Sequence, residues 1–127
     1  MSKKVVKTDN APAPVARYSQ GIRIGNTLYV QGVIALDPVS NKLIAGDIGV
    51  QAKRIFESIG AILESASMTM ADVVKVTAFL SDLKDYPGFN DVYSSYFTTD
   101  PPPVRTTVQA RMPFDALLEV EVIACLE

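Results

Sequence analysis

An arginine, Arg105, stands two residues after a run of three prolines, in the segment Pro103-Val-Arg-Thr-Thr-Val-Gln109. Alternation along a strand would put Arg105 and Thr107 on one face. A guanidinium and a hydroxyl two residues apart can bind a carboxylate together, because the planar guanidinium of arginine donates two parallel hydrogen bonds to its two oxygens. The alternative is a surface ion pair with Asp or Glu, which is the commoner arrangement since most arginines are exposed.

Two carboxylates lie on the last extended segment, Leu118-Glu-Val-Glu-Val-Ile-Ala124. Glu119 and Glu121 would share one face of a strand whose other face is apolar. Charges on a closing strand are most often solvated and protect a sheet edge from aggregation. The alternative is that one carboxylate lines a cleft and acts on a water molecule. Periodicity does not choose between the two.

Three further residues are candidates for binding, each with a structural alternative. Tyr18 follows a proline-rich stretch and either caps a small ligand site or anchors its loop on the core. Gly32 marks either a bulge or a close approach of the backbone to a ligand. Asn90 lies beside the apolar stripe of a predicted helix, where a structural role is favoured over contact with a substrate. The single cysteine, Cys125, is predicted to be a buried small hydrophobic residue.

The composition excludes several kinds of site. The chain has no histidine and one cysteine, so Ser-His-Asp catalysis, histidine metal ligation, an internal disulfide and a cysteine metal cluster are all excluded. The net charge is -2, with acidic and basic residues interspersed, which disfavours nucleic acid as a partner. The sequence shows neither a signal-peptide pattern nor an apolar run long enough for a bilayer. We therefore expect a cytoplasmic protein with no metal and no membrane partner.

Hydrophobic periodicity predicts the elements that position these residues. Steps of three and four between Ile48 and Ala66 predict a helix with Asp47 as its N-cap. A second helix is predicted to begin near Asp85, with Pro87 in its first turn. Extended segments are predicted at Lys4–Lys7, Gly21–Ile24, Thr27–Gln31, Asp72–Leu80, Arg105–Ala110 and Leu117–Cys125. This order predicts one α+β domain over residues 1–127, with both helices on one face of a mixed sheet.

Several motifs carry a resemblance to a known family. They are Ala13-Pro-Val-Ala-Arg-Tyr-Ser-Gln-Gly21, Gly25-Asn-Thr-Leu-Tyr-Val-Gln-Gly32, Asp82-Leu-Lys-Asp-Tyr…Phe-Asn90 and the signature Pro103-Val-Arg-Thr-Thr-Val…Leu118-Glu-Val-Glu. With them the chain resembles the RidA (reactive intermediate deaminase) family, also called the YjgF family, over almost its whole length. The resemblance implies a chorismate-mutase-like α+β fold, with a six-stranded mixed sheet and two helices packed on one face.

The resemblance also implies an activity and an assembly. Family members are homotrimers with active sites in clefts between adjacent subunits. Without a cofactor they hydrolyse 2-iminobutanoate and 2-iminopropanoate, and the corresponding enamines, to 2-keto acids and ammonia. These small molecules are released by pyridoxal-phosphate enzymes, and their removal protects other enzymes from damage by 2-aminoacrylate.

Residue by residue, Arg105 resembles the arginine that binds the substrate carboxylate, and Glu119 the glutamate that orients the attacking water. Tyr18 resembles the loop aromatic beside the substrate. Gly32 resembles the glycine whose backbone faces the site, and Asn90 an asparagine at its edge.

Departures from the family pattern concern substrate contacts. Thr107 occupies a position that often holds cysteine, and Gln31 stands where a serine commonly precedes the glycine. Ala16-Arg17 replaces the usual Gly-Pro, which predicts a less rigid loop. These departures keep two alternatives open: a non-catalytic regulatory protein that binds a small carboxylate, and a related deaminase with a different imine or an aminomuconate-like substrate. RNA cleavage, attached to some relatives, is disfavoured by the absence of histidine and of a basic patch.

Overall fold

The computed structural model describes residues 2–127 and shows six strands in a single mixed sheet. The strands lie in the order β1-β2-β3-β6-β4-β5, and β4 and β5 are parallel while the other pairs are antiparallel. They are β1 Lys4–Val6, β2 Gly21–Ile24, β3 Thr27–Val30, β4 Val73–Leu80, β5 Val104–Gln109 and β6 Leu118–Cys125. All six predicted strands are confirmed, with ends that shift by one residue.

The position of β6 in the sheet corrects one expectation. This strand pairs with β3 on one side and with β4 on the other, so it is not an edge strand. Its residues alternate between two environments: Leu118, Val120 and Val122 are buried, while Glu119 and Glu121 point to the opposite face. Solvated edge charge is therefore the wrong explanation for the two carboxylates, because a central strand has no free edge to protect.

Both predicted helices are confirmed. The first, α1, spans Ile48–Ser65, and the carboxylate of Asp47 accepts a hydrogen bond from the Val50 amide at 3.1 Å, which caps its first turn. The second, α2, spans Tyr86–Tyr96 with a proline in its first turn. Three-residue 3-10 turns precede β4, α2 and β6 at Met70–Asp72, Leu83–Asp85 and Pro113–Asp115.

The two helices cover one face of the sheet and enclose the hydrophobic core. Phe56 of α1 lies at the centre of an aromatic cluster with α2 and the residue that follows it: its ring centroid is 5.2–6.3 Å from those of Phe89, Tyr93, Tyr96 and Phe97. Such offset and edge contacts add to the stability gained from burial. The aromatic cluster fixes α2 against α1 and, through α1, against the sheet.

Two smaller observations concern the rest of the chain. Cys125 is exposed at the end of β6, so the prediction of a buried cysteine is wrong. Strand alternation explains the difference, because its neighbour Ala124 takes the buried position. Within residues 2–127, neither helix is long and apolar enough to cross a membrane.

Candidate active site

Arg105 lies on β5 with its guanidinium held against the aromatic rings of α2. The carbon of the guanidinium is 4.6 Å from the ring centroid of Tyr93, and 5.5 and 5.4 Å from those of Tyr86 and Phe89. Its Nη2 donates a hydrogen bond to the Tyr86 hydroxyl at 2.8 Å. Cation–π contact orients the guanidinium without neutralising its charge. Within residues 2–127 no Asp or Glu forms an ion pair with Arg105. The surface ion pair that is the commoner arrangement for an arginine is therefore absent from these residues.

Two polar atoms, one on β5 and one on α2, have no hydrogen-bond partner among the described residues. Thr107 lines the Arg105 cleft together with Leu83 and Tyr86, and its Oγ1 is buried. Asn90 lies one helical turn after Tyr86 on α2, and its Oδ1 is also buried and without a partner. A buried polar atom without a hydrogen bond is costly, and at a cleft it commonly serves a ligand. The prediction that Arg105 and Thr107 share one strand face is confirmed.

A second cleft, of about 540 Å³, opens elsewhere on the molecule. Its lining includes Tyr18, Gln31, Gly32 and Glu119, four of the residues singled out in the sequence. Tyr18 is 47% exposed, and its hydroxyl accepts a hydrogen bond from the Val15 amide at 3.3 Å. It therefore lies at the cleft surface and does not anchor the loop in the core. The Oε1 of Gln31 is buried and has no partner in the described chain.

The carboxyl group of Glu119 is partly buried in this second cleft. Burial raises the pKa of Glu119 above its ordinary value of 4.5, and the negative charge of Glu121 raises the pKa further. No side-chain hydrogen bond to this carboxylate is formed within residues 2–127. A carboxyl group with a raised pKa beside an open cleft is a candidate general base, because a higher pKa makes its carboxylate a stronger base.

Gly32 lies in close contact with the side chain of Glu119. It lies just beyond the end of β3, where the neighbouring Val33 exchanges two backbone hydrogen bonds with Val120 of β6, at 2.8 and 3.0 Å. A Cβ atom at position 32 would lie 3.0 Å from Cδ of Glu119 and would overlap the carboxylate oxygen. The glycine permits a close approach, but the group that approaches it is the Glu119 side chain of β6, and the approach of a ligand to Gly32 stays a prediction.

Two residues that shape the second cleft, one in its lining and one behind it, were missed by the sequence analysis. Gln20 is 2% exposed, and its amide nitrogen donates to the carbonyl groups of Thr8, Ala11 and Pro12 at 3.0, 3.3 and 2.9 Å. These bonds hold the loop that forms one wall of the cleft. Phe114 lines the cleft from the 3-10 turn before β6 and is 59% exposed. Nothing in the local sequence indicates either role, since both depend on contacts between distant segments.

The two clefts lie on opposite faces of the sheet. Arg105 is the neighbour of Val76 in the parallel pair, and Val76 is fully buried under the helices. Glu119 is the neighbour of Phe79, which points away from the helices. Side chains of neighbouring strand residues share a face. One chain therefore brings Tyr18, Gln31, Gly32 and Glu119 together, and separately Arg105 and Thr107. Asn90 lies on α2 one turn after Tyr86 and lines neither cleft.

The chain is thus a small α+β protein in which an arginine without an ion-pair partner among residues 2–127 and a partly buried glutamate occupy opposite faces of one sheet. The family model described as Endoribonuclease L-PSP matches residues 8–126, and the chain belongs to this family, which includes the RidA/YjgF proteins. The resemblance found in the sequence is thereby confirmed.

Individual relatives agree with this assignment. The chain is 46% identical to a RutC family protein of Pyrococcus abyssi, with 100% of each chain covered. It is 36% identical to a 2-iminobutanoate/2-iminopropanoate deaminase of Dermatophagoides farinae, with 98% of each covered. Among solved structures, RidA from the Antarctic bacterium Psychrobacter sp. PAMC 21119 has a TM-score of 0.92 at 37% identity, with 97% of this chain and 99% of that chain covered. These likenesses confirm the six-stranded, chorismate-mutase-like fold.

Proposed function

We propose that this protein is a cofactor-independent deaminase that hydrolyses 2-iminobutanoate, 2-iminopropanoate and related 2-imino acids to 2-keto acids and ammonia. The observation that carries the proposal is the state of Arg105, whose charge is oriented by three aromatic rings yet has no carboxylate partner within residues 2–127. A guanidinium without an ion-pair partner in these residues can bind a small carboxylate through two hydrogen bonds. The hydroxyl of Thr107, which has no hydrogen-bond partner there, can add a third. Relatives named as deaminases for such imines support the choice of substrate.

Arg105 and Glu119 face away from each other in one chain, so we infer that a site which uses both is completed by a second copy of the chain. We propose a homotrimer in which Arg105 of one subunit meets Glu119 of the partner subunit. The sheet face away from the helices offers a surface for this assembly: Tyr29 and Val108 lie on it and are 48% and 42% exposed. A heterologous contact repeated around a threefold axis closes into a ring and forms three equivalent sites.

Substrate binding is assigned to the Arg105 side of the composite site. The guanidinium binds the substrate carboxylate, with the hydroxyl of Thr107 and the side chain of Asn90 as further polar contacts. The aromatic rings behind Arg105 restrict its motion, so the reacting carbon is held in place at a small entropic cost. Gln31 lies in the opposite half, where its unpartnered Oε1 is suited to accept a hydrogen bond from the imine nitrogen.

Hydrolysis is assigned to the Glu119 side. An enamine first tautomerises to the imine, whose C2 is electrophilic without a metal or a covalent nucleophile. The Glu119 carboxylate takes a proton from water as the water oxygen bonds to C2, giving a carbinolamine. The carboxyl group returns this proton to the nitrogen, which completes the amine of the carbinolamine. The carboxylate then takes the proton of the carbinolamine hydroxyl and passes it to the same nitrogen as the C–N bond breaks, so that ammonia leaves and the C=O bond of the 2-keto acid forms. Tyr18 covers the cleft beside the reacting group.

Two other functions lead to different expectations. A non-catalytic carboxylate-binding regulator would keep the role of Arg105 but show no turnover, and the departure at Gln31 is the feature that favours it.

The description of the family model names RNA cleavage, but the chain has no histidine and a net charge of -2, which disfavour RNA binding and acid–base cleavage by histidine. The deaminase proposal uses groups that the clefts contain.

The test is a coupled assay in which a serine/threonine dehydratase generates 2-aminoacrylate in the presence of the purified protein. We expect the protein to accelerate formation of the keto acid and Arg105→Ala to abolish that acceleration. Arg111→Ala, which removes an exposed arginine just after β5, serves as the matched control and should retain full activity. Full activity of Arg105→Ala would show that the carboxylate is recognised elsewhere, and no turnover by the wild type would favour the regulator.

A further inference from the structure

The Arg105 cleft is built from two segments of the chain. Strand β5 supplies Arg105 and Thr107. The 3-10 turn Leu83–Asp85 and the start of α2 supply Leu83 and Tyr86. The guanidinium of Arg105 contacts both the ring and the hydroxyl of Tyr86. Its position therefore depends on how the turn is fixed relative to the strand.

Burial within the chain does little to fix this turn. Leu80, at the end of β4, and Phe89, in α2, are fully buried, but no residue between them is buried in one chain. The hydrophobic core thus anchors the segment at its two ends, and hydrogen bonds must hold the middle. The carboxylate of Asp82 accepts one from the Lys84 amide at 2.9 Å. This bond shapes the turn but does not attach it to β5.

Gln109, the last residue of β5, makes that attachment. Its Oε1 accepts a hydrogen bond from the Leu83 amide at 2.9 Å. The first N–H groups of a helical turn have no partner within the turn, so an acceptor from outside is needed here. Strand alternation places Gln109 on the same face as Arg105 and Thr107, which lets its side chain reach the turn. Both groups belong to one chain, so the contact does not require a second subunit.

We propose that Gln109 is a positioning residue for substrate binding, which holds the Leu83 turn so that the Tyr86 hydroxyl meets Arg105. The inference rests on the proposed binding of the substrate carboxylate by Arg105, and it adds a residue that does not line the cleft. In residues 2–127 two hydrogen bonds join the segment 82–86 to β5, namely the Gln109–Leu83 and Arg105–Tyr86 bonds. Without the first, the turn and the Tyr86 hydroxyl can move, and the guanidinium loses the orientation that carboxylate binding requires.

The test compares two substitutions at position 109. Gln109→Met keeps the length of the side chain but has no oxygen to accept the bond, whereas Gln109→Glu keeps an acceptor oxygen. The charge added by Gln109→Glu is largely screened, because four residues of strand separate the two Cα atoms by about 13 Å and the screening length is about 8 Å at physiological ionic strength. Lys53→Met, which places methionine at an exposed position of α1, is the matched control.

Two measurements on each variant separate binding from turnover. Calorimetric titration with 2-ketobutanoate, the product expected from 2-iminobutanoate, gives Kd, and the coupled dehydratase assay gives kcat and KM. In Gln109→Met we expect Kd and KM to rise about fivefold with kcat little changed, as for the loss of about one net hydrogen bond. Gln109→Glu and Lys53→Met should stay within about twofold of the wild type, as is usual for exposed changes that break no contact.

A double variant tests whether Gln109 acts through Tyr86. Once Tyr86→Phe has removed the hydroxyl, adding Gln109→Met should raise Kd by less than about twofold, because the two changes remove one function. A full rise in that background, an unchanged Kd in Gln109→Met alone, or an equal loss in Gln109→Glu would overturn the inference and leave the proposed function standing. If the wild type binds the keto acid without turnover, the proposed function fails and the Kd values still decide the role of Gln109. A wild type that neither binds nor turns over would overturn both.

Discussion

Arg105 and Glu119 lie on opposite faces of the same sheet, on strands β5 and β6, with β4 between them. The arginine faces the helices and packs against their aromatic residues, while the glutamate faces away and lies against Gly32. Neither can reach the other within one chain. If both act on one substrate, as we propose, each contributes from a different subunit, and the predictions below separate the two halves.

Gly32→Ala tests the Glu119 half. The added Cβ would displace the Glu119 carboxylate, which is the flexible end of a side chain. We expect kcat to fall about 100-fold, because a misplaced base loses most of its effect. The melting temperature should change little, since the backbone need not move. Kinetics and thermal unfolding of the same samples measure both.

A double variant supplies the control for this prediction. Gly32→Ala combined with Glu119→Gln should be about as inactive as Glu119→Gln alone, because two changes that remove one function are not additive. A multiplicative loss in the double variant would mean that Gly32 acts independently of Glu119.

The pH dependence of kcat/KM reports on the same carboxyl group. Burial and the charge of Glu121 raise the pKa of Glu119 above 4.5. The base must be ionised to act, so activity should be lost as the pH falls through this raised pKa, at a higher pH than for an ordinary glutamate. Glu121→Gln removes the second cause and should move the acid limb to lower pH, while burial keeps it above the ordinary value. Glu64→Gln, an exposed change on α1, should leave the profile unchanged, and a profile unaffected by Glu121→Gln would contradict this account.

Tyr86→Phe tests how the Arg105 half is positioned. The change removes the 2.8 Å hydrogen bond from Nη2 of Arg105 and retains the aromatic ring beneath it. We expect KM to rise about fivefold with kcat little altered, as for the loss of about 1 kcal/mol of net hydrogen bonding in substrate binding. Tyr96→Phe, on the same helix, is the control. A fall in kcat at constant KM would instead give the Tyr86 hydroxyl a part in the chemistry.

Much of the local structure could be predicted from the residues. In β6 every second residue is apolar, and only a strand places these residues on one face. In α1 the apolar residues recur at steps of three and four, and only a helix places them on one face. The cap at Asp47 could be predicted because it depends on a local contact: the Asp47 side chain accepts a hydrogen bond from the amide of Val50, three residues away. The common face of Arg105 and Thr107 follows from strand geometry in the same way.

The arrangement of the site could not be predicted from local pattern. Which strands pair is a non-local property, so the sequence did not reveal that β6 is central or that Gly32 meets Glu119. The exposed state of Cys125 depends on how β6 is aligned in the sheet. The left-handed backbone at Phe114 has no marker in Pro113-Phe-Asp115, since neither glycine nor asparagine stands there.

Complementation between two inactive variants tests the shared site most directly. Arg105→Ala and Glu119→Gln should each be inactive alone, and they are then mixed in equal amounts, unfolded and refolded together. In randomly mixed trimers about one quarter of the interfaces combine an intact Arg105 with an intact Glu119 from the neighbouring subunit, so activity should return to about 25% of the wild type. A mixture that stays as inactive as its components, although mixed trimers have formed, would contradict a site built by two subunits.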